Sequence, residues 1–212
     1  MTYPTETAHM DLDLVNTIAQ VFAAVGTVAV AILAIWGDKV RAAIAGPKLE
    51  LQLRDAKGNL TLRGNQQKTI YYHIKVTNRR KWSPARYVRV LVTGLEKKRP
   101  DGTFFPEPLA CPLQLTWAFP QFHELLPTVA TNDICDLGFL DEGAQRFALS
   151  PYVLPNNFRG FVQAGESMRV SIIASAHNYE SKSPLVLEIA WDGKWSTDMD
   201  EMQRHLVIRR AS

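Results

Sequence analysis

Thr69-Ile70-Tyr71-Tyr72-His73-Ile74-Lys75-Val76-Thr77-Asn78 alternates in character from one side chain to the next. Tyr72, Ile74 and Val76 fall on one side and Tyr71, His73, Lys75 and Thr77 on the other, the two-residue period of a strand with one buried face. Beyond a turn carrying Ser83-Pro84 the pattern resumes over 86–93, where Val88, Val90 and Val92 alternate with Tyr87, Arg89, Leu91 and Thr93. Further strands are predicted over 48–54, 113–118, 133–140, 168–176, 185–191 and 205–209. Asp101-Gly102 and Asp192-Gly193 are predicted to be hairpin-type turns, the second bringing Trp191 and Trp195 together across a reversal. So many strands with almost no amphipathic helix between them predict a mainly β chain folded as an antiparallel sandwich.

Upstream of the strands the sequence changes character. No charge interrupts Leu14 to Trp36, while Glu6, Asp11 and Asp13 precede that run and Asp38, Lys39 and Arg41 follow it. As a helix the run is roughly 34 Å long, against about 30 Å of hydrocarbon in a bilayer, so it predicts a transmembrane helix. A cleavable signal would have a basic leader and a shorter apolar run, and here the flanks are reversed. Ala43-Ile44-Ala45 resembles a cleavage site but lies well past the run. A core helix would show a polar face, and the polar residues here are only Asn16, Thr17, Gln20 and Thr27.

Orientation follows from the basic residues. Lys39, Arg41, Lys48, Arg54 and Lys57 follow the run and neither Lys nor Arg precedes it, so residues 47–212 are expected in the cytoplasm and residues 1–13 outside, across a bacterial inner membrane. Residues 14–46 form the span with its juxtamembrane extension. Trp36 suits the membrane interface, with Lys39 and Arg41 at the lipid head groups. Gly46-Pro47 should end the helix. Along it, Asn16, Gln20, Ala23, Thr27, Val30 and Ala34 form a small or polar stripe, while Phe22, Val25, Ala29, Ile32 and Trp36 run along a different, mostly bulkier side. Such a stripe is expected to associate helices into a homo-oligomer; the plainer reading is that small residues are frequent in membrane helices.

The 212 residues carry 24 Lys plus Arg against 21 Asp plus Glu, a formal net charge of +3, so no strong field for nucleic acid is present. The two cysteines, Cys111 and Cys135, are expected to be reduced thiols in the cytoplasm, and a disulfide between them would require the opposite topology.

Tyr72-His73-Ile74-Lys75-Val76-Thr77-Asn78, Ser83-Pro84-Ala85 and the strand of Val88, Val90 and Val92 resemble paired strands of immunoglobulin-like domains of the bacterial adhesion or CARDB kind. Ile35-Trp36-Gly37-Asp38-Lys39-Val40-Arg41, leading to Pro47-Lys48-Leu49-Glu50-Leu51, resembles bacterial proteins with one N-terminal helix and a cytosolic β-sandwich. Proline-rich insertions interrupt the likeness over 97–163. The resemblance implies binding and assembly rather than chemistry, as in a membrane effector or accessory subunit of bacterial stress or phage defence. It transfers no catalytic residues.

Motifs for chemistry are sparse. Cys111, His123 and Cys135 lack the paired spacing of a zinc site, and neither a Walker loop nor a dinucleotide fingerprint is present. No metal or cofactor is expected. His123-Glu124, and His177 with Glu180, would mark a cleft if the chain were instead an enzyme or small-ligand sensor. The stronger candidate for binding is Arg79-Arg80-Lys81-Trp82, four side chains expected to project from one sandwich end toward acidic lipid, a phosphate-bearing ligand or a cytosolic protein partner. Trp191, Trp195, Met199 and Met202 read as a corner closing the sandwich, with a helical turn beginning near Thr197. A membrane-anchored, non-enzymatic binding protein is the expectation, with a structural anchor for a neighbouring protein as a third reading.

Overall fold

The computed structural model describes residues 6–118, 126–129 and 132–211, with side chains described at 14–37, 46–118, 129 and 132–211. It divides into an N-terminal helix and a compact unit spanning Gly46–Ser212.

Helix α1 runs from Glu6–Ala45. It begins before the apolar run, so part of the predicted tail is helical, and it stops directly before Gly46-Pro47 as the sequence requires. Its segment Leu14–Gly37 is long and apolar enough to cross a membrane, and none of that segment is buried within the protein. Because the helix is continuous, Asn16, Gln20, Ala23, Thr27 and Ala34 do lie along one face. The Thr27 hydroxyl donates to the Ala23 carbonyl at 2.8 Å, so within that stripe it is already satisfied by its own helix.

The second unit is an antiparallel β-sandwich. One sheet contains β1 (Leu49–Leu53), β2 (Asn59–Leu62), β3 (Lys68–Asn78), β8 (Asn132–Asp141), β9 (Arg146–Leu149) and β10 (Phe161–Gln163). Its order is β1-β3-β8-β9-β10, with β2 beside β1 along the same edge of β3. The other contains β4 (Ala85–Lys98), β5 (Phe104–Glu107), β6 (Leu113–Gln114), β7 (Leu126–Val129), β11 (Ser167–Ala176), β12 (Tyr179–Glu180), β13 (Leu185–Trp191) and β14 (Leu206–Arg210), in the order β14-β13-β11-β4-β5. The alternation read from 69–78 is the one observed. Tyr72, Ile74 and Val76 are fully buried and face Val88, Val90 and Val92 and the inner side chains of β11 and β13 within one core. Among the described residues, every member of that core lies between Leu49 and Ile208, so the unit carries its own hydrophobic drive to fold. Burial of the Tyr72 ring raises its phenol pKa above the ordinary value.

Two predicted features take a different form. The strand expected over 113–118 pairs with the second sheet at β6, where Leu113 and Gln114 face Val92 and Leu91, and the Leu115 N–H still donates to the Val90 carbonyl at 2.8 Å. It then crosses to the first sheet, bridging Leu115 to Pro151 and Trp117 to Cys135, and so closes one side of the sandwich. Asp192-Gly193 reverses the chain but is not a two-residue hairpin. Between it and β14 stands α2 (Met199–His205), whose N-cap Asp198 accepts from the backbone N–H groups of Asp200 and Glu201. Met202, fully buried, seats that helix on the core, and the Trp191 indole donates to the Lys194 carbonyl at 2.8 Å. Asp101-Gly102 does make the β4–β5 turn, with Gly102 at φ +86 and its N–H donating to Arg99.

Candidate functional site

The loop joining β3 to β4 is organised by one buried amide. Asn78 ends β3 with 1% exposure, and its side-chain oxygen accepts from the N–H of Lys48 at 3.2 Å and of Arg80 at 3.0 Å. Its side-chain nitrogen donates to the carbonyls of Ser83 at 2.8 Å and Val129 at 3.2 Å. Two acceptor and two donor positions exhaust what an amide offers. Asn78 therefore ties together β1, the β3–β4 loop and β7 at one end of the sandwich.

On that frame the four predicted loop residues do not behave alike. Arg79 pairs with Glu50 on β1, and the hydrogen bonds from Arg79 and Gln52 hold the Glu50 carboxyl below its ordinary range. Arg80 is half-buried, and its guanidinium donates to the Gly46 carbonyl at 2.8 Å. Of the four, Arg79, Lys81 and Trp82 are exposed and Arg80 is half-buried; β1 and the chain entering it engage the two arginines. Trp82 is 75% exposed.

A neighbouring residue, not singled out as a candidate by sequence, completes this end. Tyr87 adopts φ +53, a left-handed conformation that costs an aromatic residue about 1–2 kcal/mol. Alternation fails there: Arg86 and Tyr87 are both exposed between the buried Ala85 and Val88. The Tyr87 ring is 56% exposed and meets His177 edge-on at 6.4 Å. His177 occupies, with Asn178, the tight turn between β11 and β12, where Asn178 accepts from the Arg86 N–H at 3.3 Å. His177 is exposed and forms no hydrogen bond or ion pair with Glu180, and its ring contact with Tyr87 makes it part of an aromatic and basic rim. Tyr179 fastens the rim by donating to the Leu49 carbonyl at 3.1 Å. His123 lies outside the described residues.

At the opposite end of β4, Lys97, Lys98, Glu107, Arg159, Phe161, Gln163 and Glu166 line an open groove of about 310 Å³. Its charges are mostly spent on each other. Lys97 donates to Glu166 at 2.7 Å and to the Phe161 carbonyl, and Arg159 faces Glu107 at 3.8 Å. On the outer face of the first sheet, cross-strand register places His73 against Asp136, with Nδ1 2.8 Å from a carboxylate oxygen and the Tyr71 ring stacked at 6.3 Å. Single-strand periodicity cannot reveal such a pair, because the partner strand is far along the chain. The pair holds the imidazole in one orientation and braces the face.

Among the described residues no group of three or more His, Cys, Asp or Glu side chains is placed to hold a metal. Cys111 is exposed and Cys135 buried, both as free thiols. Burial, and next the Asp136 charge, push the Cys135 thiol well above its ordinary pKa, and Sγ donates to the Thr116 carbonyl at 3.1 Å. Thiol titration of the native protein should therefore consume Cys111 rapidly and Cys135 only after denaturation. Rapid reaction of both thiols would contradict the burial of β8.

Of the interface residues, Trp36 is exposed on α1, while the side chains of Lys39 and Arg41 lie outside those described. No protein-family model matches the chain, and no curated protein matches it.

Proposed function

We propose that the chain is a non-enzymatic binding protein anchored by a single membrane-crossing helix, which assembles copies of it, and that the sandwich end bearing Lys81 and Trp82 is its binding surface. The observation that carries this reading is α1, whose segment Leu14–Gly37 leaves Leu14, Ile18, Phe22, Val25, Ile32, Leu33 and Trp36 without cover from the protein. A surface of that length is at rest only in hydrocarbon or against other helices. Basic residues on its C-terminal side favour a bacterial inner-membrane protein with the sandwich in the cytosol. In lipid, the stripe of Asn16, Gln20, Ala23, Thr27 and Ala34 supports helix association through close packing and amide hydrogen bonds.

The test is the mass of full-length protein in mild detergent beside that of residues 46–212, measured by light scattering. An oligomer that requires the helix, and that Ala23→Leu dissociates while Val25→Leu does not, is expected. Monomers in both preparations would overturn the assembly role. A full-length chain that stays in solution without detergent would overturn the anchor.

A further inference from the structure

The rim around Asn78 combines three properties. It is basic: Lys48, Lys81 and Arg86 are exposed beside Arg79 and Arg80, with Glu50 and Glu180 the nearby carboxylates. It is aromatic and amphipathic, since Trp82 and Tyr87 expose large rings with a polar edge, and in Tyr87 a left-handed backbone supports the outward position. It is also where the chain enters the unit. Gly46, the first residue of the unit, accepts the Arg80 guanidinium, and the N–H of Arg79 donates to the Lys48 carbonyl at 2.8 Å.

Exposed indole and phenol rings interleaved with Lys and Arg are the composition favoured where hydrocarbon gives way to charged head groups. A free phosphate would be gripped by converging donors in a pocket, whereas Lys81 and Trp82 in the loop and Arg86 and Tyr87 at the start of β4 are all exposed and suit an extended anionic surface. We propose that this rim docks on the anionic lipid surface of the bilayer that α1 crosses, Lys81 and Arg86 meeting phosphate groups and Trp82 and Tyr87 entering the head-group layer.

The inference rests on the membrane-anchored reading above but is tested without the anchor. Residues 46–212, which contain the whole core, are sedimented with vesicles of phosphatidylcholine alone or with about a third phosphatidylglycerol. Binding is expected to the anionic vesicles only and to vanish at about 0.5 M salt, where screening shortens to a few ångströms. Each basic side chain close to the surface is worth roughly fivefold, so Lys81→Ser with Arg86→Ser should weaken binding about twenty-five-fold, and Trp82→Ser should weaken it further. Lys98→Ser with Arg159→Ser, at the far end, should leave it unchanged. Unaltered melting temperatures of these surface variants show that folding is intact. Equal binding to neutral vesicles, equal loss from the far-end variant, or competition by millimolar inorganic phosphate would each overturn the proposal. Vesicle binding by 46–212 combined with a full-length chain soluble without detergent would reject the anchor while leaving the rim a lipid-binding surface.

Discussion

Gly138→Ala should destabilise the sandwich by about 3 kcal/mol, lowering its melting temperature by roughly 10 °C for a unit of this size. Gly138 lies on β8 opposite Leu149 of β9 and beside the irregularity where Tyr72 faces Gly138 but His73 faces Asp136. A Cβ there would stand 2.4 Å from the Ala148 carbonyl oxygen, 2.5 Å from Phe147 Cζ and 3.1 Å from Leu149 Cα. Relief is blocked on both sides. Two of those contacts are backbone atoms, and the Phe147 ring is fully buried edge-on against Tyr72, with centroids 5.9 Å apart. Either the β8–β9 ladder opens or the ring leaves its place in the core. Gly64→Ala, where nothing lies within 4 Å, is the matched control and should be nearly neutral. Chemical denaturation of both variants checks the difference, and equal stabilities would mean that β9 does not pair as described.

Asn78→Ala should cost a comparable 3 kcal/mol for a different reason. The alanine removes four hydrogen bonds at once and strands the N–H of Lys48 and Arg80 and the carbonyls of Ser83 and Val129. A buried group left unpaired costs about 1–3 kcal/mol, and the loop end is close enough to water for some of these groups to recover a partner. The loss should also be local. Amide exchange at Lys48, Arg80 and Ser83 should accelerate well before that of β3 and β11, because the amide joins the loop, β1 and β7 but not the centre of the core. Asn78→Asp keeps the acceptor, loses both donors and buries a charge, so it should be no milder at neutral pH. Full protection of the Lys48 and Arg80 amides in Asn78→Ala would remove this residue as the organiser of the rim.

The two variants mark where sequence reading succeeds and where it stops. Long strands with a water-facing side announce themselves, and β3, β8, β11 and β13 appear within a residue or so of the predicted limits. Strands β2, β5, β7, β9, β10 and β12 carry no such signal. They span two to four residues, too few for a period to emerge, and exist because a neighbouring strand supplies the ladder. The β4 strand outruns its predicted end at Thr93 because the pairing with β11 shifts register there and then resumes: Ile172 faces Val92, Ser171 faces Gly94, and Leu95 returns to the core.

The candidate site shows the same division. A cluster of two arginines, a lysine and a tryptophan in a turn is visible in the sequence, yet its division into two tied arginines and two free side chains is not. That depends on Glu50 and Gly46, brought alongside by the β1–β3 register. Tyr87 reads as one more outward residue of an alternating strand, and its left-handed backbone has no sequence signal at all.

The apolar helix, its termination at Gly46-Pro47, the mainly β character and the buried faces of β3 and of the first half of β4 are all legible in the residues themselves. These are consequences of local periodicity, charge and backbone chemistry, which act over a few residues. The crossing of residues 113–117 between sheets, the steric demand for glycine at 138, the His73–Asp136 pair and the four-way satisfaction of Asn78 come instead from packing. Each of those requires atoms distant in the chain to meet at fixed separation, and the packing of the two sheets is what sets that separation.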